Sequence, residues 1–227
     1  MCFVEDYSYI SQRGCISAYE IDAEGYRELG PVVDEPFHLS YPFLIEYENQ
    51  LYMCPETNRN KDIRLYRCED FPGKWVYHKT LIENVVASDT NIFRKGNKWW
   101  MMTNIDSSAL GDNVSEVHIF YSDAPDSNTW TPHSKNPVIF DSGFARNGGL
   151  IVEGEKVFRV FQKQGFDMYG QAMGVSLIEG LSDEDYRESV VFEIPPKFFK
   201  GISGTHSLAY KDGLLAIDFV KRERYNT

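Results

Sequence analysis

One pattern of apolar and polar positions recurs along the 227-residue chain. It is a run in which apolar and polar residues alternate, then a short polar turn, then a second run rich in aromatic residues. Alternation with a period of two indicates β-strands, and a turn with Gly, Asn or Asp between two such runs indicates a hairpin. The four hairpins span residues 42–56, 90–104, 148–162 and 206–219, with turn centres at Asn49, Gly96, Gly154 and Asp212.

A second pair of apolar runs follows each of the first three hairpins. These runs begin at Ile63 and Trp75, at Val117 and Trp130, and at Ala172 and Tyr186. The fourth hairpin has almost no chain after it, whereas two unassigned runs, residues 15–22 and 26–33, lie near the N-terminus. We therefore predict four-stranded modules, the last of which is closed by pairing of the N- and C-terminal strands.

The turn centres repeat every 47 to 58 residues. Four-stranded units at such a period are typical of a β-propeller, in which each blade buries its faces against its neighbours. We predict an all-β fold, a β-propeller that forms a single domain over residues 1–227, with four countable modules. Residues 1–9 could belong to a further incomplete blade, and a β-sandwich with coincidental hairpins is the alternative fold.

Composition and charge narrow the classes of function. The chain has 34 acidic and 23 basic residues, a net charge of −11. Such a chain repels phosphate backbones and anionic membranes, so we expect no nucleic-acid partner. No apolar run approaches the roughly 18 residues of a membrane span, and we expect no signal peptide. The four cysteines lack CxxC spacing, which favours reduced thiols in a cytoplasmic protein.

Polar residues precede the first strand of each module. Propeller sites usually lie at the ends of the innermost strands, so these residues are expected to converge on one axial pocket. The candidate side chains in these segments are His38, Tyr41, Asp89, Arg146, Asn147 and His206. Asp89 is equally well explained as a turn residue, because Asp favours loops.

Three stretches carry a resemblance that covers nearly the whole chain. They read HLSYPFLIEYENQLYMCPE, IRLYRCEDFPGKW and SDTNIFRKGNKWWMMTN. They are similar to a glycosidase-like five-bladed β-propeller family that includes the N-terminal domain of glucosamine inositolphosphorylceramide transferases and bacterial formyltransferase-associated domains. More remotely, the chain looks like the propeller glycosidases of families 43, 32 and 68. The resemblance implies five blades, a carbohydrate or sugar-nucleotide ligand, and a glycosyltransferase or formyltransferase partner.

The resemblance also implies three carboxylates, as in family 43-like glycosidases: a general base, an orienting carboxylate and a general acid. Glycoside hydrolysis needs an acid to protonate the leaving oxygen while a base activates water. Only the orienting carboxylate has a match, at Asp89. Residues 40–42 (Ser-Tyr-Pro) stand where the base is expected, and residues 146–148 (Arg-Asn-Gly) where the acid is expected. His206 matches a central histidine near a metal; the sequence leaves open whether Ca²⁺ lies there, and no other cofactor is expected.

Other side chains are candidates to complete the site. Glu56 ends the first inner hairpin and is a candidate acid–base partner of Asp89, with an ordinary loop acid as the alternative. An inward Arg64 would bind a carboxylate or phosphate through two parallel hydrogen bonds, or would form a salt bridge with Glu56. A cation at Arg146 suits an anionic sugar or a sugar phosphate better than a neutral sugar. The further polar candidates in the third module are Gln162 and Tyr169.

Three functions follow from these residues. The favoured one is a glycoside hydrolase-like enzyme that acts on a glycosidic bond of a glycan or glycoconjugate, with Glu56 and Asp89 as the catalytic pair. The second is a non-catalytic glycan or sugar-nucleotide binding module in surface polysaccharide or glycolipid synthesis, which the missing carboxylates favour. The third is a protein-interaction propeller. Carboxylates about 5 to 10 Å apart would support the enzyme, and a Glu56–Arg64 salt bridge would count against it.

Overall fold

The computed structural model describes residues 1–166, 169–211 and 213–221. Nearly all of the regular structure in these residues is β-strand, and the one helical element among them is a short 3₁₀ turn at Asn58–Asn60. The chain divides into two compact units. The first unit is Met1–Ile105 with Phe120–Thr131, and the second is Asp106–Ile119 with Pro132–Thr227. The single domain over residues 1–227 stays a prediction.

The N-terminal strands form an antiparallel sheet of their own. Its strands are β1 (Cys2–Ser8), β2 (Arg13–Ile21) and β3 (Tyr26–Val33), in that order. β1 pairs with β2 over seven consecutive residues, from Cys2 opposite Tyr19 to Ser8 opposite Arg13. The first nine residues therefore contribute a full strand to this sheet.

Two larger sheets follow along the chain. The first contains β4 (Ser40–Tyr47), β5 (Gln50–Glu56), β6 (Asp62–Asp70) and β7 (Lys74–Glu83), in the order β4-β5-β6-β7. The next contains β8 (Ala87–Lys95), β9 (Lys98–Ile105), β10 (Glu116–Ser122), β11 (Thr131–Pro132) and β12 (Ile139–Phe140). Its order is β11-β10-β9-β8, and β12 also pairs with β10. Each sheet is an antiparallel meander, as its sequence of hairpins predicts.

The remaining strands lie in the second half of the chain. A four-stranded sheet contains β13 (Asn147–Glu153), β14 (Lys156–Lys163), β15 (Ala172–Leu181) and β16 (Tyr186–Ile194). Two two-stranded sheets follow, one of β17 (Ile202–Gly204) with β20 (Val220–Lys221), the other of β18 (Leu208–Lys211) with β19 (Leu214–Ile217).

The predicted all-β propeller fold is confirmed, with four blades of three or more strands in the described part of the chain. The predicted closure is corrected. Among the described residues, the N-terminal strands pair with one another, and the C-terminal strands pair among themselves. The C-terminal strands do not pair with β2 because β1 occupies the free edge of that strand. The fifth blade that the resemblance implies is absent from the described sheets.

The predicted hairpin turns are found wherever the structure describes them. The facing residues Tyr47 and Gln50, Lys95 and Lys98, and Glu153 and Lys156 leave two-residue loops between their strands. The turn centres Asn49, Gly96 and Gly154 have φ values of 59°, 64° and 58°. Two-residue hairpin loops require this left-handed backbone, which Asn and Gly adopt most easily. The fourth turn centre, Asp212, lies outside the described residues.

Each unit has its own apolar core. In the first unit, one cluster centres on Leu65, Met101 and Trp99, and a second on Ile16 and Met53. In the second unit, the core cluster is Val160, Met173, Val175 and Leu208. The cysteines are unpaired; Cys54 and Cys68 are buried, and Cys2 and Cys15 are partly exposed. No helix within the described ranges has the length and apolar character needed to cross a membrane.

Candidate functional site

Three blades bend their first strand at the same place. The register of the strand pair shifts between Ser40 and Phe43 in β4, between Ser88 and Asn91 in β8, and between Asn147 and Gly149 in β13. Such a bulge bends the strand and redirects the side chain at that point. The three segments are those in which the sequence predicts ligand-binding residues.

Non-glycine residues occupy the bulge in two of the three blades. Tyr41 has a φ of 44° and Asp89 a φ of 47°. Both values lie in the left-handed region, where a residue with a Cβ is strained, and residues held there cluster at functional sites. In the third blade Gly148 and Gly149 stand at the bulge, and a Cβ at Gly148 would lie 2.4 Å from the carbonyl oxygen of His206. In that blade, the backbone of His206 lies where a side chain at position 148 would be, so the bulge carries glycine in place of a functional side chain.

Asp89 is the centre of a buried polar group that we call the Asp89 cluster: Tyr41, Glu56, Asp89 and Asn91. Asp89 is 3% exposed and Glu56 is 7% exposed. The backbone N–H of Asp89 donates to Oε2 of Glu56 across 3.3 Å. The Tyr41 hydroxyl donates to Oδ1 of Asn91 across 2.8 Å, and Nδ2 of Asn91 donates to the carbonyl of Asp89. The two predicted catalytic residues are thus brought together.

Hydrogen bonds also hold the backbone beside Asp89. The Thr103 hydroxyl donates to the carbonyl of Ser88 across 3.1 Å and is 2.8 Å from the Thr90 hydroxyl. The Ser88 hydroxyl accepts a hydrogen bond from Nδ2 of Asn58. All the acceptors lie in or next to the bulge. The strained conformation is therefore secured on both sides of Asp89.

Arg64 pairs with carboxylates other than Glu56, the partner that the sequence offered as an alternative. Its guanidinium forms an ion pair with Asp62, with Nε 2.8 Å from Oδ2, and its Nη1 lies 3.9 Å from Oε1 of Glu35. The guanidinium also packs over the ring of Phe37 at 5.0 Å. The carboxylates that Arg64 pairs with are thus Asp62 and Glu35, and the expected salt bridge with Glu56 is corrected. Asp62 is the nearer partner and precedes Arg64 by two residues in β6.

His38 lies in a cleft of the first unit rather than in the Asp89 cluster. Its Nδ1 accepts a hydrogen bond from the backbone N–H of Gly14 across 2.8 Å. Its Nε2 lies 3.6 Å from Oε1 of Glu5. Burial lowers the pKa of His38, and the positive charge of Arg59 lowers it further. His38 is therefore neutral near pH 7.

The second unit holds the other predicted site residues, in a group that we call the Arg146 cluster: Arg146, Tyr169, His206 and Asp218. Arg146 is 8% exposed, and its Nη1 donates to the carbonyl of Asn113 across 2.8 Å. The guanidinium lies 5.8 Å from the centre of the Tyr169 ring. That ring meets the His206 ring edge-to-face at 5.3 Å. The cluster places a cation beside two aromatic rings.

Asp218 fixes the position of His206. Its Oδ2 forms an ion pair with Nδ1 of His206, and its Oδ1 accepts the backbone N–H groups of His206 and Ser207 at 2.8 and 2.9 Å. Burial pushes the pKa of Asp218 upward, but the hydrogen bonds and charge of His206, together with the backbone donors, outweigh it and lower the pKa. Asp218 follows directly after β19, at the end of the run Ala-Ile-Asp. The sequence pattern did not identify it as a site residue.

Gln162 and Asn147 hold the start of β13. Nε2 of Gln162 donates to the carbonyl of Asn147 across 2.7 Å, and the backbone N–H of Gln162 donates to the carbonyl of Arg146 at the same distance. Nε2 of Gln164 donates to Oε1 of Gln162 across 3.3 Å. Gln162 and Asn147 are both buried. Their described contacts position the backbone of Arg146.

A fully buried ion pair supports the same segment from the other side. Arg159 is 0% exposed, and its Nε lies 2.9 Å from Oε2 of Glu188. Its two terminal nitrogens donate to the carbonyls of Ala145 and Phe144 at 3.1 and 3.0 Å. The Tyr186 hydroxyl donates to the same glutamate. The pair therefore holds the two residues that precede Arg146. An Arg in the apolar run KVFRVF is the sequence signal that could have found it.

The ten predicted site residues thus fall into separate groups. Tyr41, Glu56 and Asp89 share one cluster; Arg146, Tyr169 and His206 share another, with Asn147 and Gln162 behind it; His38 and Arg64 belong to neither. Sequence reasoning missed the side chains of Asn91, Arg159 and Asp218 and the backbone carbonyl of Asn113, all of which contact predicted site residues or the segment that carries them. Across the described ranges, no group of three or more His, Cys, Asp or Glu side chains is arranged to hold a metal ion. The Ca²⁺ beside His206 stays a prediction.

Comparison with known proteins gives a family. A family model described as the N-terminal region of glucosamine inositolphosphorylceramide transferase 1 matches residues 1–207. The glucosamine inositolphosphorylceramide transferase 1 of Arabidopsis thaliana is 36% identical over 193 residues, which cover 82% of this chain and 25% of that protein. The protein of the same name from Oryza sativa subsp. japonica is 37% identical over 164 residues, 70% of this chain and 22% of that protein. The chain therefore spans about a quarter of the length of these curated relatives.

Solved structures share the fold. Sucrose-6-phosphate hydrolase from Lactobacillus gasseri matches 95% of this chain and 57% of its own, with a TM-score of 0.66 and 12% identity. A thermostable family-43 glycoside hydrolase matches 98% of this chain and 72% of its own, with a TM-score of 0.55 and 13% identity. At these identities the likeness shows the fold alone, which is a glycosidase-like propeller.

Proposed function

The chain belongs to the family of glucosamine inositolphosphorylceramide transferase N-terminal regions, and we propose that it is a carbohydrate-binding domain that holds its ligand without cleaving it. One observation carries this proposal. Three blades bend their first strand at the same point, and the residues there are Tyr41, Asp89 and the pair Gly148–Gly149. Only one of these bulges presents a carboxylate, whereas glycoside hydrolysis commonly needs a separate acid and base.

The Asp89 cluster has the groups that recognise sugar hydroxyls. The Glu56 carboxylate, the Asn91 carboxamide and the Tyr41 phenol are hydrogen-bonded to one another or to the main chain of Asp89. Carboxylate and amide oxygens accept hydrogen bonds from sugar hydroxyls, and a few fixed polar groups of this kind give a pocket its specificity. Glu56 already accepts the backbone N–H of Asp89, so it serves to shape the cluster.

The Arg146 cluster suits a ligand that carries a negative charge. A guanidinium binds carboxylate or phosphate oxygens through parallel hydrogen bonds. The guanidinium of Arg146 donates to the carbonyl of Asn113 and lies 5.8 Å from the centre of the Tyr169 ring. The curated relatives are named for a transferase of inositolphosphorylceramide, a name that includes a phosphoryl group. We therefore propose an anionic glycolipid headgroup as the ligand class, bound in support of a glycosyltransferase.

Glycoside hydrolysis is the second candidate, and a specific observation favours it. Asp89 is buried, strained and in contact with Glu56. Strain of this kind is common where a side chain must be held for chemistry. In this alternative, Asp89 and Glu56 would divide the roles of acid and base.

Calorimetric titration and product analysis on the same samples distinguish the two functions. The ligands are neutral sugars, aminosugars, uronic acids, sugar nucleotides and inositol phosphates. The variants are Asp89→Asn, Tyr41→Phe and Arg146→Gln, with Asp70→Asn as the matched control because Asp70 is an exposed acid of β6. Binding without product release, weakened by the first three substitutions and unchanged by the control, supports the binding domain. Product release that Asp89→Asn abolishes would establish hydrolysis instead, and no binding of any ligand would reject both.

A further inference from the structure

A cleft of about 380 Å³ opens in the first unit, apart from the two clusters described above. Three segments form its walls: the turn between β1 and β2, the segment before β4, and the 3₁₀ turn after β5. The lining side chains include Tyr7, Gln12, Arg13, Phe37, His38 and Arg59. Members of the Asp89 and Arg146 clusters do not line it. The cleft therefore calls for its own explanation.

Two of the walls are joined through Gly14. Its backbone N–H donates to Nδ1 of His38 across 2.8 Å, and its carbonyl accepts the backbone N–H of Leu39 across 3.0 Å. A Cβ at Gly14 would lie 2.5 Å from the carbonyl oxygen of Leu39 and 2.9 Å from Cε1 of His38. These contacts are too short for any other residue, so glycine permits the close approach that gives the cleft its fixed shape.

The two residues that precede Arg59 anchor the third wall. The Thr57 hydroxyl donates to the carbonyl of Asp62 across 2.6 Å, and Nδ2 of Asn58 donates to the Ser88 hydroxyl across 3.3 Å. Arg59 itself is exposed, and its guanidinium forms no ion pair with the part of the chain that the structure describes. A guanidinium on an anchored turn, facing a cleft, is placed to bind an anion.

The charges around the cleft leave Arg59 uncompensated. Nη1 of Arg13 lies 2.8 Å from Oδ1 of Asp34, which occupies one of the five donors of that guanidinium. His38 accepts a hydrogen bond at Nδ1, so the proton of its neutral ring is on Nε2. Nε2 lies 3.6 Å from Oε1 of Glu5. The neutral imidazole adds no charge near pH 7. The cleft thus presents one free cation and one partly neutralised cation, with the Glu5 carboxylate beside His38 as the nearby negative charge.

We infer that this cleft binds a phosphate monoester carried on a sugar or polyol. Arg59 binds the phosphate oxygens, and the remaining donors of Arg13 add to it. The rings of Tyr7 and Phe37 pack against the apolar face of the sugar ring, and the Gln12 amide binds its hydroxyls. This site goes beyond the proposed carbohydrate-binding function, because its residues belong to a separate cleft.

Titration of the intact chain with inorganic phosphate, glucose and glucose 6-phosphate tests the inference. The Arg59→Gln variant removes the free cation. The Arg27→Gln variant is the matched control, because Arg27 is an exposed arginine paired with Glu20 outside the cleft. We expect glucose 6-phosphate to bind more tightly than glucose or phosphate alone. Arg59→Gln should weaken that binding by about tenfold or more, the effect of a charge-assisted hydrogen bond, and Arg27→Gln should leave it unchanged.

Three results would overturn the inference. They are equal weakening by both substitutions, which indicates long-range charge alone; equal affinity for glucose and glucose 6-phosphate; and no binding of the ester. An Arg59→Lys variant, which keeps the charge but loses the planar pair of donors, should give intermediate affinity. Binding of neutral sugars is measured on the same variants. Neutral sugars report on the Asp89 cluster, and glucose 6-phosphate titrated into Arg146→Gln reports on the Arg146 cluster, so failure of the two proposals is observed separately.

Discussion

The backbone N–H of Asp89 donates a hydrogen bond to Oε2 of Glu56 across 3.3 Å. The sequence predicts these two residues as a catalytic pair, and the structure does bring them into contact. The contact, however, joins the side chain of one to the main chain of the other. Asp89 has a φ of 47°, so Glu56 stabilises a strained backbone conformation. That backbone conformation sets the direction of the Asp89 side chain.

Removing the Glu56 carboxylate should destabilise the fold. Glu56→Ala leaves the buried N–H of Asp89 without this acceptor, at a cost of about 1 to 3 kcal/mol in the free energy of unfolding. Glu56→Gln keeps an acceptor oxygen and should cost less. Urea unfolding measures both, with the exposed Glu24→Ala as the control. If Glu56→Ala matches the control, Glu56 does not support the backbone of Asp89.

Glycine should be preferred to alanine at position 89, the reverse of the usual order in a strand. At a φ of 47° the Cβ of alanine is strained, whereas glycine adopts this backbone freely. We expect Asp89→Gly to be more stable than Asp89→Ala by about 1 kcal/mol. Arg94, an exposed residue of the same strand, supplies the comparison: there alanine should be the more stable. Thermal unfolding of the four variants measures both differences.

The buried pair of Arg159 and Glu188 should be sensitive to loss of one partner. Glu188→Ala leaves the guanidinium of Arg159, 0% exposed, without its counter-charge. The expected loss is about 3 to 5 kcal/mol in the free energy of unfolding. The double variant Arg159→Met with Glu188→Leu should recover much of it, because no charge is then buried. Denaturant unfolding provides the test, with exposed Glu184→Ala as the control; an equal loss in the single and double variants would contradict it.

The Asp218–His206 ion pair should make stability depend on pH in the acid range. The folded pKa of Asp218 is held below its ordinary value of about 3.9. Its contribution is therefore complete above pH about 4, and it is lost as the pH falls through the lowered folded pKa. The stability difference between wild type and Asp218→Asn should shrink below pH about 4. Unfolding free energies from pH 6 down to about pH 2.5 measure it, and a difference that stays constant would exclude this linkage.

Gly14 should not tolerate even one added carbon. A Cβ there would lie 2.5 Å from the Leu39 carbonyl oxygen, so Gly14→Ala must move the backbone at a cost of about 1 to 3 kcal/mol. Gly73→Ala is the matched control, since no atom lies within 4 Å of a Cβ built there. Chemical unfolding of both variants measures the difference. Similar stabilities would show that the wall at His38 adjusts easily.

The local pattern of the sequence was sufficient to predict most of the blades. Alternation with a period of two, interrupted by Asn49, Gly96 and Gly154, reflects interactions between residues close in the chain, and these hairpins are found. The predicted closure of the last blade is not found among the described residues, because it depends on which distant strand occupies the free edge of β2. β1 occupies that edge and faces β2 in seven residue pairs. The alternation of apolar and polar residues carries no information about which strand pairs there.

Sequence reasoning also identified the segments that carry the site but not how their residues are used. Asp89, Tyr41 and Arg146 stand at or beside bulges, where polar residues before a strand indicated them. Their partners Asn91, Asn113 and Asp218 were missed, because each lies in an ordinary strand or loop pattern. The sequence by itself determined the repeated hairpins and the positions of the polar segments, since both follow from local periodicity. Only the tertiary structure decided which side chains meet, because those contacts join strands far apart in the chain and depend on bulges that redirect single residues.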